Sequence, residues 1–221
     1  HLNKVNRSLL VEVPKHPVLT KEQFTAAYNK GLKVIDTRNK FDFANGYIQN
    51  SINIQNNNAL STWAGWLLNY EEQFVIIAKE NEMEEITRKL MRIGLDNIYG
   101  FVTDISSLDE ALITGNVIDI QEFKKLRLQD DVQIVDLRGA TEYNAGHLEG
   151  ADHIFVGTLE SNLDKLDKNK QIVVHCQAGD RSAIGYSLLK KHGFENVKNY
   201  VGGMAEWKGK NEKVLMDTVL A

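Results

Sequence analysis

The sequence holds a single cysteine, Cys176, among 221 residues. An internal disulfide framework is thereby excluded, and a lone thiol fits the reducing cytoplasm better than a secreted setting. Both prolines, Pro14 and Pro17, fall near the start, where residues 1–17 show no strong period and read as a linker or extended lead-in. No apolar run approaches the roughly 18 residues of a membrane helix, and the polar, basic stretch from His1 to Lys15 is unlike a signal peptide. Lysine and arginine are scattered rather than striped and the net charge is −4, so a nucleic-acid footprint is absent. No pair of His or Cys residues has ligand spacing, so no metal is expected, and no cofactor either. The acidic run from Glu80 to Glu85 reads as a solvated face. The chain begins at His1, as a processing or tag remnant or as the first residue of a longer polypeptide, and the sequence leaves these open.

What is present is ordinary soluble, globular material, 43% hydrophobic, of a length that suits one or two domains. A repeat decides between them. Val34-Ile35-Asp36-Thr37-Arg38 and Gly46-Tyr47-Ile48 recur one hundred positions later as Ile134-Val135-Asp136-Leu137-Arg138 and Gly146-His147-Leu148. Residues 74–78 likewise answer 172–176, and 92–98 answer 191–197. Such self-similarity means a duplicated domain, with copies at 18–114 and 115–221 and a boundary near Gly115. Each copy alternates short apolar strands with helices, which predicts an α/β fold with a mostly parallel sheet covered by helices on both faces.

Local signals place several elements. Thr20 caps a helix with Phe24, Ala27 and Tyr28 on one side, Lys33 to Asp36 is a strand, and a short helix lies around Phe41 to Asn45. Trp63, Trp66 and Tyr70 are spaced to share a helical face and read first as core. The helix after Cys176 closes with Lys190, Lys191 and His192, and Gly193 suits the left-handed cap. Residues 209–221 form a mixed tail.

Features present in both copies are candidates for scaffold, and features confined to one are candidates for chemistry. Asp36 with Arg38, and Asp136 with Arg138, therefore read as paired carboxylates and guanidiniums that fix the loop after a strand. The cysteine loop behaves differently. In the second copy an apolar strand ends at Cys176 and opens into Gln177-Ala178-Gly179-Asp180-Arg181-Ser182 before a helix; in the first, Ala78 stands at the cysteine position and Lys79 to Glu84 replace the loop. Successive N–H groups from Gln177 to Ser182 can curl into an anion-binding nest around the sulfur. The positive helix end and Arg181 point the same way, so the thiol is expected below its ordinary pKa of about 8.5. Gly179 permits the tight turn. His175 abuts the cysteine, yet strand alternation aims its side chain elsewhere and makes it a packing residue; His147 reads as loop-fixing. An inert cysteine closing a buried strand is the competing reading.

The run CQAGDRS at 176–182 resembles the active-site loop of the rhodanese sulfurtransferases. Val135 to Arg138, with Glu142-Tyr143 and Gly146-His147-Leu148-Glu149-Gly150-Ala151, resembles that family's other signature, and Gly202-Gly203-Met204-Ala205-Glu206-Trp207 extends the match. The resemblance implies two rhodanese-like domains, the first degenerate and the second active. It implies a persulfide on Cys176, loaded from a small sulfur donor such as a persulfide or thiosulfate and emptied by a thiol acceptor in ping-pong order. Loop N–H groups would stabilise the persulfide and Arg181 would help place the donor, while Asp180 disfavours doubly charged thiosulfate.

Other readings stay open. Cysteine phosphatases and arsenate reductases also set a thiolate in an anion-binding loop, but place one residue more between Cys and Arg than the four found here; the tighter ring suits a single sulfur. A non-enzymatic persulfide relay or docking module is the other alternative. The tandem, with its lead-in around Leu2 to Pro14, also resembles the C-terminal region of bacterial fusions that join a metallo-β-lactamase-fold persulfide dioxygenase to rhodanese domains, which implies an upstream partner domain.

Overall fold

The computed structural model describes residues 12–108 and 110–216, which form two compact units divided between Ile113 and Thr114. The first contains α1 (Lys21–Asn29), β1 (Lys33–Asp36), α2 (Lys40–Asn45), β2 (Tyr47–Ile48), β3 (Ile52–Asn53), α3 (Leu60–Leu67), β4 (Phe74–Ile77), α4 (Met83–Met91), β5 (Ile98–Val102) and β6 (Leu112–Ile113). The second contains β7 (Val117–Ile118), α5 (Ile120–Leu126), β8 (Val132–Asp136), α6 (Ala140–Asn144), β9 (Asp152–His153), β10 (Gln171–His175), α7 (Asp180–Lys191), β11 (Val197–Tyr200) and α8 (Gly203–Gly209).

Each unit is built on a parallel sheet, in the order β3-β1-β4-β5 in the first and β7-β11-β10-β8-β9 in the second. The first unit reproduces the extra edge strand with its lead-in. Val18 bridges Phe101 in parallel, the Leu19 N–H donates to the Phe101 carbonyl at 2.8 Å, and the Phe101 N–H donates to the Pro17 carbonyl at 2.9 Å. Residues 1–11 of the expected lead-in and 217–221 of the expected tail lie outside the described residues.

The central strands are continuous apolar runs because both their faces are covered. Residues 74–77 of β4 and 172–175 of β10 are buried throughout. On one face of the second sheet, Phe123 of α5 and Met204 and Trp207 of α8 pack on Ile134, Val173 and Tyr200; Phe123 stacks on Tyr200 at 4.3 Å and meets Trp207 edge-on at 5.6 Å. Strand alternation turns Val174 to the other face, where α7 lies against β10 and β11 with Ile184, Leu188 and Leu189 buried. That helix ends at Gly193, whose φ of +76° is the left-handed cap. At the opposite end of the chain Thr20 and Gln23 form a reciprocal capping box that starts α1 and brings Phe24 and Ala27 into the core.

One expectation fails. Helix α3 stops at Leu67, before Tyr70, and buries Leu60 and Ala64 instead of its tryptophans. Trp66 is 54% exposed and Trp63 half-buried. The apolar arc of this helix runs from Trp66 through Trp63, Leu67 and Leu60 to Ala64, with Ser61, Thr62 and Gly65 opposite; the buried stripe follows the Leu60–Ala64 side of that arc and leaves the tryptophans on its outer flank.

Candidate active site

Strands β1 and β8 each deliver an aspartate and, two residues on, an arginine to the carboxyl end of their sheet. Arg138 Nε donates to Asp136 Oδ1 at 2.9 Å, and its terminal nitrogen donates to Asp136 Oδ2 at 2.6 Å and to the Gly146 carbonyl at 2.8 Å. Arg38 binds Asp36 and the Gly46 carbonyl in the same way, at 3.0, 2.5 and 2.8 Å. The clamp ties the strand end to the loop after the following short helix. Asp136 and Arg138 are 0% and 1% exposed, so the pair faces no solvent and acts on the loops around it. Burial pushes the Asp136 carboxyl up, but the hydrogen bonds and charge of Arg138 pull the other way and it lies below the ordinary carboxylate value. His153 Nε2 completes the frame against the Arg138 carbonyl at 2.8 Å. Tyr143 stacks between His147, at 4.0 Å, and His153, at 4.6 Å, and His147 is thereby part of loop packing.

Cys176 follows β10 directly and is 1% exposed. The Gly179 N–H donates to its Sγ at 3.2 Å. That contact needs the backbone to reverse within three residues, and Gly179 does so at φ +95°. Ser182 Oγ donates to the Gly179 carbonyl at 3.1 Å and locks the turn onto the first residues of α7. Gln177 and Ala178 form an exposed rim, while Asp180 is half-buried at the helix start.

Arg181 reaches back across the loop to Glu142 of α6. Its two terminal nitrogens bind the two carboxylate oxygens, Nη2 to Oε1 at 2.8 Å and Nη1 to Oε2. Glu142 hydrogen bonding raises the guanidinium pKa, against burial, and the Cys176 sulfur is a further electrostatic partner. Arg181 in turn holds the Glu142 carboxyl below its ordinary value. His175 is 0% exposed and points to the α5 side, 6.2 Å from the Phe123 ring. Its Nε2 lies 3.8 Å from Asp136 Oδ2 and makes no hydrogen bond.

Two parts of the site were not singled out by sequence reasoning. Glu142 is one, although its position within the signature run was the available signal. The start of α8 is the other: the Met204 N–H donates to the Cys176 carbonyl and the Ala205 N–H to the Gln177 carbonyl, both at 2.9 Å. Gly203 makes this approach possible. It sits at φ +56°, and a Cβ there would collide with the Cys176 carbonyl oxygen and come within 2.8 Å of the Gln177 oxygen.

The first unit keeps the frame and lacks both the cysteine and the arginine. Ala78 follows β4 directly, and at the distance from Ala78 that separates Arg181 from Cys176 stands Met83. A hollow of about 190 Å³ there is lined by Arg38, Asn39, Asp42, Gln55, Lys79 and Glu82, among others, with no thiol. Among the described residues no cluster suits a metal ion, and no helix is long and apolar enough to cross a membrane.

A five-stranded parallel sheet whose central strand is followed directly by a cysteine, with a loop that donates to its sulfur and enters a helix, defines an α/β domain, here accompanied by a second copy without the cysteine. The chain belongs to the rhodanese-like family: the family model of the rhodanese-like domain matches residues 20–111 and 119–210. YrkF of Bacillus subtilis (strain 168), named as a candidate sulfur carrier protein, is 36% identical over 96 residues, 43% of this chain and 52% of that protein. The tRNA uridine(34) hydroxylase of Listeria welshimeri is 34% identical over 117 residues, 50% of this chain and 35% of that protein. The chain thus spans between a third and about half of these curated relatives. A rhodanese-like domain protein from Staphylococcus aureus is similar in structure, with 30% identity, a TM-score of 0.42, and coverage of 47% of this chain and 99% of that one. The human single-domain sulfurtransferase TSTD1 matches with 25% identity, a TM-score of 0.40, and coverage of 43% and 97%. At the level of the family, the function is related to sulfur transfer.

Proposed function

We propose that the second unit is a sulfurtransferase that moves sulfane sulfur from a small donor to a thiol acceptor through a persulfide on Cys176. The carrying observation is the Gly179 N–H directed at Sγ from the loop that opens α7. A fixed backbone donor on sulfur favours its anionic forms and needs no reorganisation during reaction. The Cys176 thiolate attacks the outer sulfur of a persulfide RS–SH, the S–S bond breaks, and RS⁻ leaves with the electron pair. An acceptor thiolate then attacks the outer sulfur of Cys176–S–SH and releases the Cys176 thiolate. The exposed rim of Gln177 and Ala178 gives both partners access to a sulfur that is otherwise enclosed.

Intact mass tests this. Incubation with thiosulfate or with an alkyl persulfide should add one sulfur atom, removable by reductant and absent from Cys176→Ser; no adduct from either donor overturns the proposal. The name of YrkF favours a second reading, in which the loaded Cys176 hands its sulfur to a protein partner. Loading without turnover on small thiols would select it. Hydroxylation is not carried over from the Listeria relative, of which the chain spans 35%.

A further inference from the structure

The cation beside Cys176 is already spoken for. Arg181 gives both terminal nitrogens to the two oxygens of Glu142, and its side chain is 16% exposed. Glu142 is held in turn by the first turn of α6, where the Gly139 N–H donates to Oε2 at 3.3 Å. A second carboxylate, Asp180, stands at the first residue of α7. A paired guanidinium presents a short-range dipole, not a free positive charge, and the Asp180 carboxylate and the Cys176 sulfur share its surroundings.

Donors differ in how much charge must enter that space. In thiosulfate the sulfonate is one bond from the transferred sulfur, so both negative charges come to the loop. When the Cys176 thiolate takes the outer sulfur, the S–S bond breaks and the pair leaves with dianionic sulfite. In a persulfide at most one charge sits on the transferred sulfur, and the rest of the molecule extends past the rim. Building on the Cys176 persulfide reading above, we propose that Glu142 is a specificity-determining residue: by neutralising Arg181 it turns the site away from dianionic thiosulfate and toward persulfides. Its action on the donor runs through Arg181.

Glu142→Gln removes the charge and keeps the shape and one acceptor oxygen. Steady-state kcat/KM would be measured for thiosulfate and for cysteamine persulfide, whose ammonium and sulfur charges cancel, with dithiothreitol as the common acceptor. The ratio of thiosulfate to persulfide kcat/KM should rise about tenfold or more at low ionic strength, mainly through the KM for thiosulfate. A ratio within about twofold of wild type, with both donors affected in parallel, assigns Glu142 a purely structural role and overturns the inference. Wild-type protein gives an independent reading that survives misfolding of the variant. Its kcat/KM for thiosulfate should rise as salt increases from about 20 to about 200 mM, because screening relieves repulsion; a fall would reveal an unneutralised cation and overturn the inference. Wild type that takes sulfur from neither donor would overturn the proposed function itself. Loading with unchanged selectivity and the wrong salt slope would overturn the role of Glu142 alone.

Discussion

The two units share a clamp and differ in the loop it supports. Asp36–Arg38 and Asp136–Arg138 make matching bonds, each reaching a glycine carbonyl at 2.8 Å. Even the next contact is conserved in kind: Asn53 Nδ2 donates to the Arg38 carbonyl at 2.9 Å where His153 meets the Arg138 carbonyl at 2.8 Å. Past the central strand the likeness ends. Asp42, where the second unit has Glu142, pairs with Asn39 at 2.5 Å, and Met83 stands where Arg181 would be needed to reach it. The frame and the chemistry are therefore separable. A buried clamp recurs in both units, while the residues between the central strand and the following helix differ, so that only the second unit presents a thiol and an arginine there.

The most severe break is Cys176→Ser, expected to lower sulfur transfer at least about a thousandfold by removing the nucleophile. The comparison sharpens when Ala78→Cys is added to it. The restored thiol should stay below about one hundredth of wild-type activity, since Lys79 to Glu82 supply neither the left-handed turn of Gly179 nor a guanidinium. Activity near wild type would show that the strand end alone suffices. Next in size, Arg138→Ala leaves the Asp136 charge buried without its partner and should destabilise the second unit by about 3–5 kcal/mol in urea titrations. Arg38→Ala should cost the first unit less, about 2 kcal/mol, because Arg38 is 18% exposed and water can solvate the gap. Equal losses would mean that burial does not set the strength of the clamp.

Gly203→Ala should follow, at about 2–3 kcal/mol, from left-handed strain and the collision with the Cys176 carbonyl. Its distinctive sign is an altered rate of iodoacetamide labelling at Cys176, since Met204 and Ala205 anchor the carbonyls of that loop. Labelling unchanged alongside full loss of stability would detach α8 from the site.

These contacts also show what one chain can reveal before it folds. The repeat, the buried strands β4 and β10, and the Asp–Arg spacing are legible because each is a local pattern, and the second copy repeats it in the same order about one hundred positions on. The Arg181–Glu142 pair spans 39 residues, and nothing local to either residue names the other. Asp42 even masks it, since an acidic residue in both copies reads as scaffold when only one has an arginine to hold. Gly203 is hidden for a related reason: its need comes from carbonyls of a loop far back in sequence. Trp66 lies exposed because the apolar arc of α3 is wider than its buried stripe, and aromatic spacing does not mark where within that arc the core contact falls.

The smallest expected effect tests a position where the central strands differ beneath the clamp. Ile77 is in register with Asp36, and His175 with Asp136. Burial lowers the His175 pKa from its ordinary 6.5; Asp136 pulls it upward and Arg138 pushes it down again, and burial prevails. The folded imidazole thus stays neutral where the unfolded chain takes up a proton. Stability is full above pH 6.5 and falls as pH drops below it, by at most about 1.4 kcal/mol per pH unit for one proton. The depressed Asp136 carboxyl works in the same sense, but only below its ordinary value of 3.8, so the two windows separate. His175→Ile, which installs the first unit's residue, should flatten the slope between about pH 6.5 and 5 while leaving the steeper acid loss. His16 in the first unit is also lowered by burial, and the readout must therefore be local. With Trp63 and Trp66 replaced by Phe, Trp207 reports the second unit alone, and urea midpoints at each pH decide. An unchanged slope in His175→Ile would place the proton uptake elsewhere and leave His175 as packing with no pH-dependent cost.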